Sequence, residues 1–584
     1  MTLFPHLDLN YYLPQQEKNL LEIMDRAYTE SITINQSFWS EADIDVRFKE
    51  GDQTLWNDIY GNLPAFRRRQ FNFNRIRRIC NMIGGHQRRH RKSTTIIPRE
   101  NSDSVTASQF TALMFWAMQE TNGYEIISDA FDGAVTTGLN LINIWWDWRS
   151  DPISGSPKIQ KCAYNSFLID PFFRQKNLED CNFIWLRKYY TKQEVISLLP
   201  HKKEEIEAMY TGGYRDGKFQ YLPESYQYGM RNLMTYDEYW YRDYRDQTLL
   251  IDSKNGSTLE WTGTKKTLDE FLKLHREIEV ITQVIPTVKL GIVVQDRVMY
   301  NGKHPMGSDR FPFVPVFGYF APEMPYFPWR IQGVVRGLRD AQFLYNRRKV
   351  IELDILESQV NSGMKYKEDS LVNPKDIYLQ GQGRGIALKR EADMNDVQPI
   401  PPPAIPPSIM ELSQLLAREM QEISGVNEEL LGSADDDKAG ILSMLRQGAG
   451  LTTLQIFYDQ LDGSQKLLGS LMLEMLQANF TPGKVKRIIQ QEPTPEFYNK
   501  NFGKYDAVVE EGLNTSTQRQ LQFAQLLNLR ETGVPVPTSI LIETSTRAIG
   551  EDLFYFYYFS SPVKKPWDKN DDGYLPPSFL NLLF

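Results

Sequence analysis

The stretch RIQGVVRGLRDAQFLYNRRKVIELDIL, residues 330–356, decides how this chain is read. Ile331, Val334, Val335, Leu338, Ala341, Leu344, Tyr345, Ile351 and Ile355 recur at mostly helical intervals without a proline, so the spacing predicts one amphipathic helix. It opens after the proline-rich FAPEMPYFP and runs for about 30 residues, or about 45 Å. Downstream, residues 361–407 break the period with NPKD, GQGRG and IPPPAIPP. A second helix is expected from Ser408, three residues before Glu411 as in a capping box, through Ile409, Leu412, Leu415, Leu416, Met420 and Ile423 to Gly425. The polar segment GVNEELLGSADDDKAG, residues 425–440, leads to a third helix from about Ile441 to Asn479, with a kink expected where glycines such as Gly448 and Gly450 cluster; Gly463 and Gly469 follow.

Upstream, helical periods are predicted over Gln15 to about Ser37, with Leu20, Ile23, Met24, Ala27 and Ile32 as the stripe, and over about Phe66 to Arg91, with Phe73, Ile76, Ile79, Cys80 and Ile83. Two more follow, Ser104 to Thr121 and Tyr124 to Leu139. The period then becomes extended: Leu141 to Trp148, Lys158 to Ala163 and Asn182 to Tyr190 are aromatic and β-branched runs between turn clusters such as SDPISGSP. Further strands are expected within Leu233 to Ile251 and Glu279 to Tyr300, which makes the chain α+β.

The 584 residues leave room for about four domains. A net charge of −8 excludes a polybasic nucleic-acid binder, so any contact with nucleic acid must be local. With 41% apolar residues the chain is globular in composition. Apolar runs such as residues 142–146 fall short of the ~18 needed to cross a bilayer, so no membrane insertion is expected. The opening MTLFPHLDLN has no basic leader or apolar core, and Cys80, Cys162 and Cys181 are too scattered for a disulfide framework. Synthesis in a reducing cytoplasm is the expectation.

The chemical motifs fail on inspection. Gly212 to Lys218 approaches a phosphate-binding loop, but Phe219 stands where a hydroxyl must hold magnesium. His86 and His90 are spaced as in zinc peptidases without the intervening glutamate, and GQGRG at 381–385 has Ile386 where a dinucleotide fingerprint needs its third glycine. No G-x-S-x-G occurs, so no catalytic, cofactor or metal residue is assigned. Three features carry charge or rigidity instead. Ten basic residues, Arg67, Arg68, Arg69, Arg75, Arg77, Arg78, Arg88, Arg89, Arg91 and Lys92, lie in 67–92 without one acid, which points to an intermolecular or intersubunit surface. Asp435, Asp436 and Asp437 suit a loop facing a polar channel, and the proline run 400–407 reads as a stiff connector.

In order and spacing, six passages together resemble the portal proteins of tailed bacteriophages, especially short-tailed ones. They are FNFNRIRRICNMIGGHQRRHRKSTTIIPRE, DAFDGAVTTGLNLINIWWDW, SFLIDPFFRQKNLEDCNFIWLRKYYTKQEVISLLP, the quoted 330–356 stretch, ISGVNEELLGSADDDKAGILSMLRQGAGLTTLQIFYDQL and YDAVVEEGLNTSTQRQLQFAQLL. The resemblance covers roughly residues 60 to 530. It implies a portal-like fold: an α/β wing (1–328), a stem helix (329–358), a clip (359–407), a returning stem helix (408–424), a tunnel loop (425–439), a long kinked wing helix with its following segment (440–505), and a helical crown with the C-terminal tail (506–584). Some relatives extend the crown into a helical barrel; here any barrel is expected to be short or absent.

The resemblance also implies a role. Twelve copies would form a ring at one capsid vertex of the virion, made in the host bacterial cytoplasm, through which a separate terminase drives double-stranded DNA and the genome later leaves. Partners would be terminase, the major capsid protein and tail adaptor proteins. On this plan Glu428, Glu429, Asp435, Asp436, Asp437 and Lys438 face DNA from the tunnel loop, and Lys375, Arg384 and Lys389 dock partners from the clip. No enzyme activity is expected. The competing reading, a nucleic-acid-processing enzyme with helix 67–92 as its groove, lacks an assignable catalytic set, and a scaffold using the proline segment explains neither the sheet nor the long helices.

Overall fold

The structure is a computed structural model that describes residues 14–53, 71–99, 103–149, 151–211, 219, 233–252, 258–261, 263, 265–275, 278–360, 363–378, 385–401, 407–426, 452–498 and 505–511. Contacts divide the chain into two units, residues 1–87 with 94–509 and residues 88–93 with 510–584. The architecture that follows is that of the first.

Helix α1 (Pro14–Glu50) is 37 residues long and buries Leu20, Met24, Ala27, Ser31, Asn35, Phe38, Ala42, Asp45 and Phe48 along one face. The steps between them are three or four residues throughout, so the period continues past Ser37, where the expected helix ended. Polar Asn35 and Asp45 on the stripe hid the continuation; Asn35 Nδ2 donates to Ile169 O at 2.9 Å. Helix α2 is Ile76–Arg89, shorter than the expected helix: residues 71–75 are non-helical, Phe73 is exposed, and Asn74 Oδ1 accepts from Arg77 N at the helix start. Strand β1 (Lys92–Pro98) precedes α3 (Ser104–Glu120), whose N-cap Asp103 accepts from the amides of Val105 and Thr106. Helix α4 (Gly123–Thr137) ends at Gly138, in the left-handed half of backbone space at φ 97°.

The strands follow their expected runs: β2 (Leu139–Asp147), β3 (Ser156–Cys162), β4 (Phe167–Ile169) and β5 (Phe183–Tyr190), then helices α5 (Lys192–Leu198), opened by a Thr191–Glu194 capping box, and α6 (Lys203–Glu207). Next come β6 (Met234–Asp252), β7 (Thr258–Glu260), α7 (Lys265–Leu274), β8 (Ile278–Val294), β9 (Arg297–Lys303), β10 (Phe313–Phe317), β11 (Tyr319–Phe320), α8 (Phe327–Arg330) and β12 (Ile331–Gln332). One antiparallel sheet has the order β10-β2-β3; the larger runs β4-β5-β6-β8-β9, with β7 on β6. Arg187 and Asp237, opposite each other on β5 and β6, form a buried bidentate pair at 2.6 and 2.7 Å. Arg187 also donates to the carbonyl of Phe219, whose ring packs on Trp185 and Tyr28. Phe219 is therefore a core residue; the preceding residues 212–218 lie outside the described residues.

Helix α9 (Val334–Val360) starts after the expected Trp329, because Ile331 has gone to the short strand β12. Strands β13 (Met364–Tyr366) and β14 (Val397–Pro399) pair within the insert before α10 (Pro407–Ser424). Ser408 thus lies inside the first turn of α10 rather than at its cap, with Pro407 ahead of it in a position that needs no N–H. Helix α11 (Gln455–Asn479) passes unbroken through Gly463 and Gly469; Gly448 and Gly450, where the kink was expected, lie outside the described residues. Gly469 serves close packing instead, since a Cβ there would meet Thr94 and Ala507. Helix α12 (Pro482–Ile489) follows, and β15 (Tyr505–Glu511) pairs with β1. The larger apolar core runs from Ile83 on α2 through Phe131, Trp146, Phe317 and Leu338 to Met472 on α11, and a second cluster joins Leu20 and Met24 of α1 to Trp185, Phe219 and Tyr239.

The passage into α9 depends on glycine. A Cβ on Gly333 would sit 2.1 Å from the carbonyl oxygen of Thr136, at the end of α4, and backbone there has no room to yield. Gly333→Ala should therefore cost about 2–3 kcal/mol, read as a lowered thermal midpoint. Gly463→Ala, at an exposed helix position with nothing within 4 Å, should leave the midpoint unchanged or raise it.

Candidate functional site

Within the unit just described, the base of α9 is bound to α1 by charge. The Asp45 carboxylate, with a fully buried side chain, takes Arg336 Nη2 at 3.1 Å and Arg339 Nε at 2.7 Å, and Arg339 Nη1 also reaches Glu41 Oε2 at 2.6 Å. Burial pushes the Asp45 carboxyl up to about 6, against the downward pull of Arg339 and Arg336. Just before α9, buried Arg330 donates to the carbonyls of Met324, Pro171, Phe173 and Pro325 at 2.8 to 3.1 Å. That one side chain ties the residues around Tyr326 and Trp329, both largely exposed, to the segment between β4 and β5.

One turn further along α9, an amide network places the start of the basic helix. Gln342, wholly buried, accepts from Arg75 N at 3.0 Å and donates to Phe73 O at 2.9 Å, while Asn346 Oδ1 accepts from Phe73 N at 3.1 Å. Asn346 Nδ2 donates to Gln53 Oε1. Segment 71–75 is thereby pinned to α9, and the Arg75 guanidinium lies 4.8 Å from the Tyr345 ring centroid. Arg77 pairs with Glu50. These two cations are engaged inside the chain, whereas Arg78 projects from α2 into solvent. Arg88, Arg89, Arg91 and Lys92 belong to the second contact unit, and Arg67, Arg68 and Arg69 lie outside the described residues. Of the three described cations in the first unit, Arg75 and Arg77 are thus engaged and Arg78 is exposed.

Helices α9 and α10 pack together through Leu338, Leu416 and Met420, and Ser413 Oγ donates to Glu352 Oε1 across the pair. Their expected apolar stripes are only partly buried. Of those stripes Leu344, Leu415 and Ile423 are 41 to 53% exposed in the single chain, as are Leu356 and Met410, which lie outside the expected stripes. Between the helices, β13 and β14 are joined by Ile400 N to Gly363 O at 2.7 Å and by the Lys367–Asp396 pair at 2.6 Å. Ser370 and Leu371 are its only buried residues among those described, so the described part of the insert has almost no core of its own. Lys375 and Lys389 are both exposed on it; Arg384 lies outside the described residues.

Glu428, Glu429, Asp435, Asp436, Asp437 and Lys438 also lie outside the described residues. The described residues that flank 427–451 are joined by a hydrogen bond. Gly425 closes α10 at φ 71°, Val426 N donates back to Gln421 O at 3.1 Å, and Thr453 Oγ1 donates to Gly425 O at 3.0 Å. No group of three metal-ligating side chains occurs among the described residues, and no described helix is long and apolar enough to cross a membrane.

The family model of the phage P22-like portal protein matches residues 25–549. The chain belongs to that family. The portal protein of Helicobacter pylori bacteriophage KHP30 is 19% identical over 453 residues, an alignment covering 76% of this chain and 66% of that relative, just under two thirds of its length. The family match runs through both sheets, the helix pair and the joined loop ends, so these elements belong to a phage portal protein.

The Asp45 site sets a pH-dependent expectation for this portal chain. Because its folded pKa lies above 3.8, the folded chain holds a proton that the unfolded chain has released, and stability falls as pH rises from about 4 to about 6. Arg339→Met removes one of the two compensating cations, leaving the carboxylate less well paired. Its destabilisation should reach about 3 kcal/mol at pH near 8 and be markedly smaller near pH 5, where Asp45 is protonated, as measured by thermal or urea unfolding at both values.

Proposed function

We propose that copies of this chain close into a ring at one capsid vertex and form the channel through which double-stranded DNA is packaged and ejected. The observation that carries the reading is the family match over residues 25–549, together with a helix pair that keeps an apolar stripe uncovered in the single chain. Leu344, Leu356, Met410, Leu415 and Ile423 suit a heterologous contact, repeated from each copy to the next until the rotation closes. Twelve copies is the number proposed. Residues 1–328 act as the wing, α9 and α10 as the stem, residues 359–407 as the clip, residues 425–439 as the tunnel loop, and residues 506–584 as crown and tail.

A clip with almost no core of its own is supported in this reading by its neighbours in the ring and by the proteins docked on it, terminase during packaging and tail adaptors afterwards. Lys375, Arg384 and Lys389 serve that docking, and the wing meets the major capsid protein. DNA must slide, so the channel avoids firm phosphate neutralisation, each instance of which adds to salt-dependent binding. Five acids against Lys438 in the 425–439 loop serve that purpose. The protein is a virion component, made in the host cytoplasm. The family is a structural one, and no catalytic step is assigned.

Two experiments test this. Leu415→Glu combined with Ile423→Glu should yield folded monomers in which closed rings, seen in the wild type by electron microscopy and native mass measurement, are lost; rings that survive would place the subunit contact elsewhere. Replacing Asp435, Asp436 and Asp437 with Lys should keep the rings but slow packaging at low salt, with relief as added salt screens charge over about 8 Å. Unchanged packaging at low salt would remove the loop from the channel.

A further inference from the structure

The pairing of β6 with β8 runs on past β9. It extends from Tyr236 opposite Val294 out to Asp252 opposite Ile278, but β9 covers the far side of β8 only over residues 289–294. Among the described residues, no strand lies along that side of β8 over residues 278–288. The register fixes which main-chain groups face it. Arg242 N donates to Asn182 O on the β5 side at 2.8 Å, and Thr248 O accepts from Trp261 N on the β7 side at 2.8 Å, so both residues turn their main-chain groups away from β8. Their partners on β8, Val288 and Thr282, therefore turn theirs away from β6, and the direction alternates along the strand. Val280, Thr282 and Val284 each present an N–H and a C=O to the open side, and Pro286 a C=O alone.

An open edge of this kind is a template for another strand. Its side chains are uncovered as well, Val284 being 65% and Ile281 46% exposed. The edge is also complementary to itself. Laid antiparallel about a two-fold axis at Gln283, two copies place Thr282 opposite Val284, Ile281 opposite Ile285 and Val280 opposite Pro286. Thr282 and Val284 then exchange main-chain hydrogen bonds in both directions, and the Val280 N–H meets the Pro286 C=O, so the missing proline N–H leaves only the Val280 carbonyl unanswered. Ile281 against Ile285 is an apolar cross-strand pair, and residues 280–288 carry no charge, so no like charges are brought together.

We propose that the outer edge of β8 binds the same edge of a second copy of this chain, joining two sheets into one across a two-fold axis. Such a contact uses one patch on both partners and closes on itself, unlike the head-to-tail contact proposed for the ring, so neither depends on the other. The strand contact is small, below the about 1,200 Å² of a standard interface, and therefore weak.

The test is sedimentation of the full-length chain carrying Leu415→Glu and Ile423→Glu, which removes the ring contact, from about 1 to about 100 μM. Monomer at the low end should give way to dimer at the high end. Val284→Pro removes an outward N–H without touching a hydrogen bond to β6, and should weaken the dimer about tenfold. Ile281→Lys and Ile285→Glu should each weaken it, while together they set Lys opposite Glu on both sides of the axis and restore it. Absence of dimer at the highest concentration, open-ended association, or a folded Val284→Pro chain that dimerises as before would overturn the proposal, as would a charge-paired variant no tighter than the single ones. If Val284→Pro loses its circular dichroism, the charge pair decides alone. Rings that persist despite Leu415→Glu and Ile423→Glu would count against the proposed ring contact only, and the β8 edge would then be read from the pairing of whole rings with the same variants.

Discussion

The carboxylate of Asp45 is the point on which the rest of the structure turns. It is buried on α1 and held by two arginines one turn apart on α9, so it locks the first long helix of the chain to the helix that begins at Val334. Neither side could be exchanged alone. Removing a cation strands a carboxylate in low dielectric, and removing the carboxylate strands two guanidiniums. The spacing of Arg336 and Arg339 follows from helix geometry, which places positions three apart on one face.

Around that lock the polar groups are used for placement rather than for chemistry. Arg330 gathers four carbonyls, Gln342 and Asn346 fix residues 71–75, and Arg187 with Asp237 bridges β5 and β6. Each is nearly or fully buried and answered by several hydrogen bonds, which is the condition under which burial of a polar group is tolerated. Rigid attachment at one end of α9 contrasts with its second half, where few residues are buried in the single chain. That half of the helix leaves Leu356 exposed in the single chain.

Sequence periodicity carried far where one period ran uninterrupted. The strands at 139–147, 156–162 and 183–190, the helices α3 and α4, and the helix pair around the proline-rich insert all lie within a few residues of their expected bounds, because each buries one face or both and is bounded by glycine, proline or a capping side chain. The order of these elements, with the family's passages among them, also determined the portal assignment. No chemical motif entered that assignment.

Tertiary structure alone decided the rest, for the reason that a pattern of apolar residues marks a face without saying what covers it. Nothing local singles out Asp45, Gln342 and Asn346; partners from distant parts of the chain satisfy them. Arg75 and Arg77 read as part of a basic face, yet Tyr345 and Glu50 engage them. Leu344, Leu415 and Ile423 have the periodicity of core residues and are nonetheless exposed, because a two-helix ribbon can bury only one side of each helix against its mate. The pairing of β1 with β15 and of β2 with β10 was equally beyond local reading: hydrogen bonds between strands far apart in the chain leave no trace in either strand's own sequence.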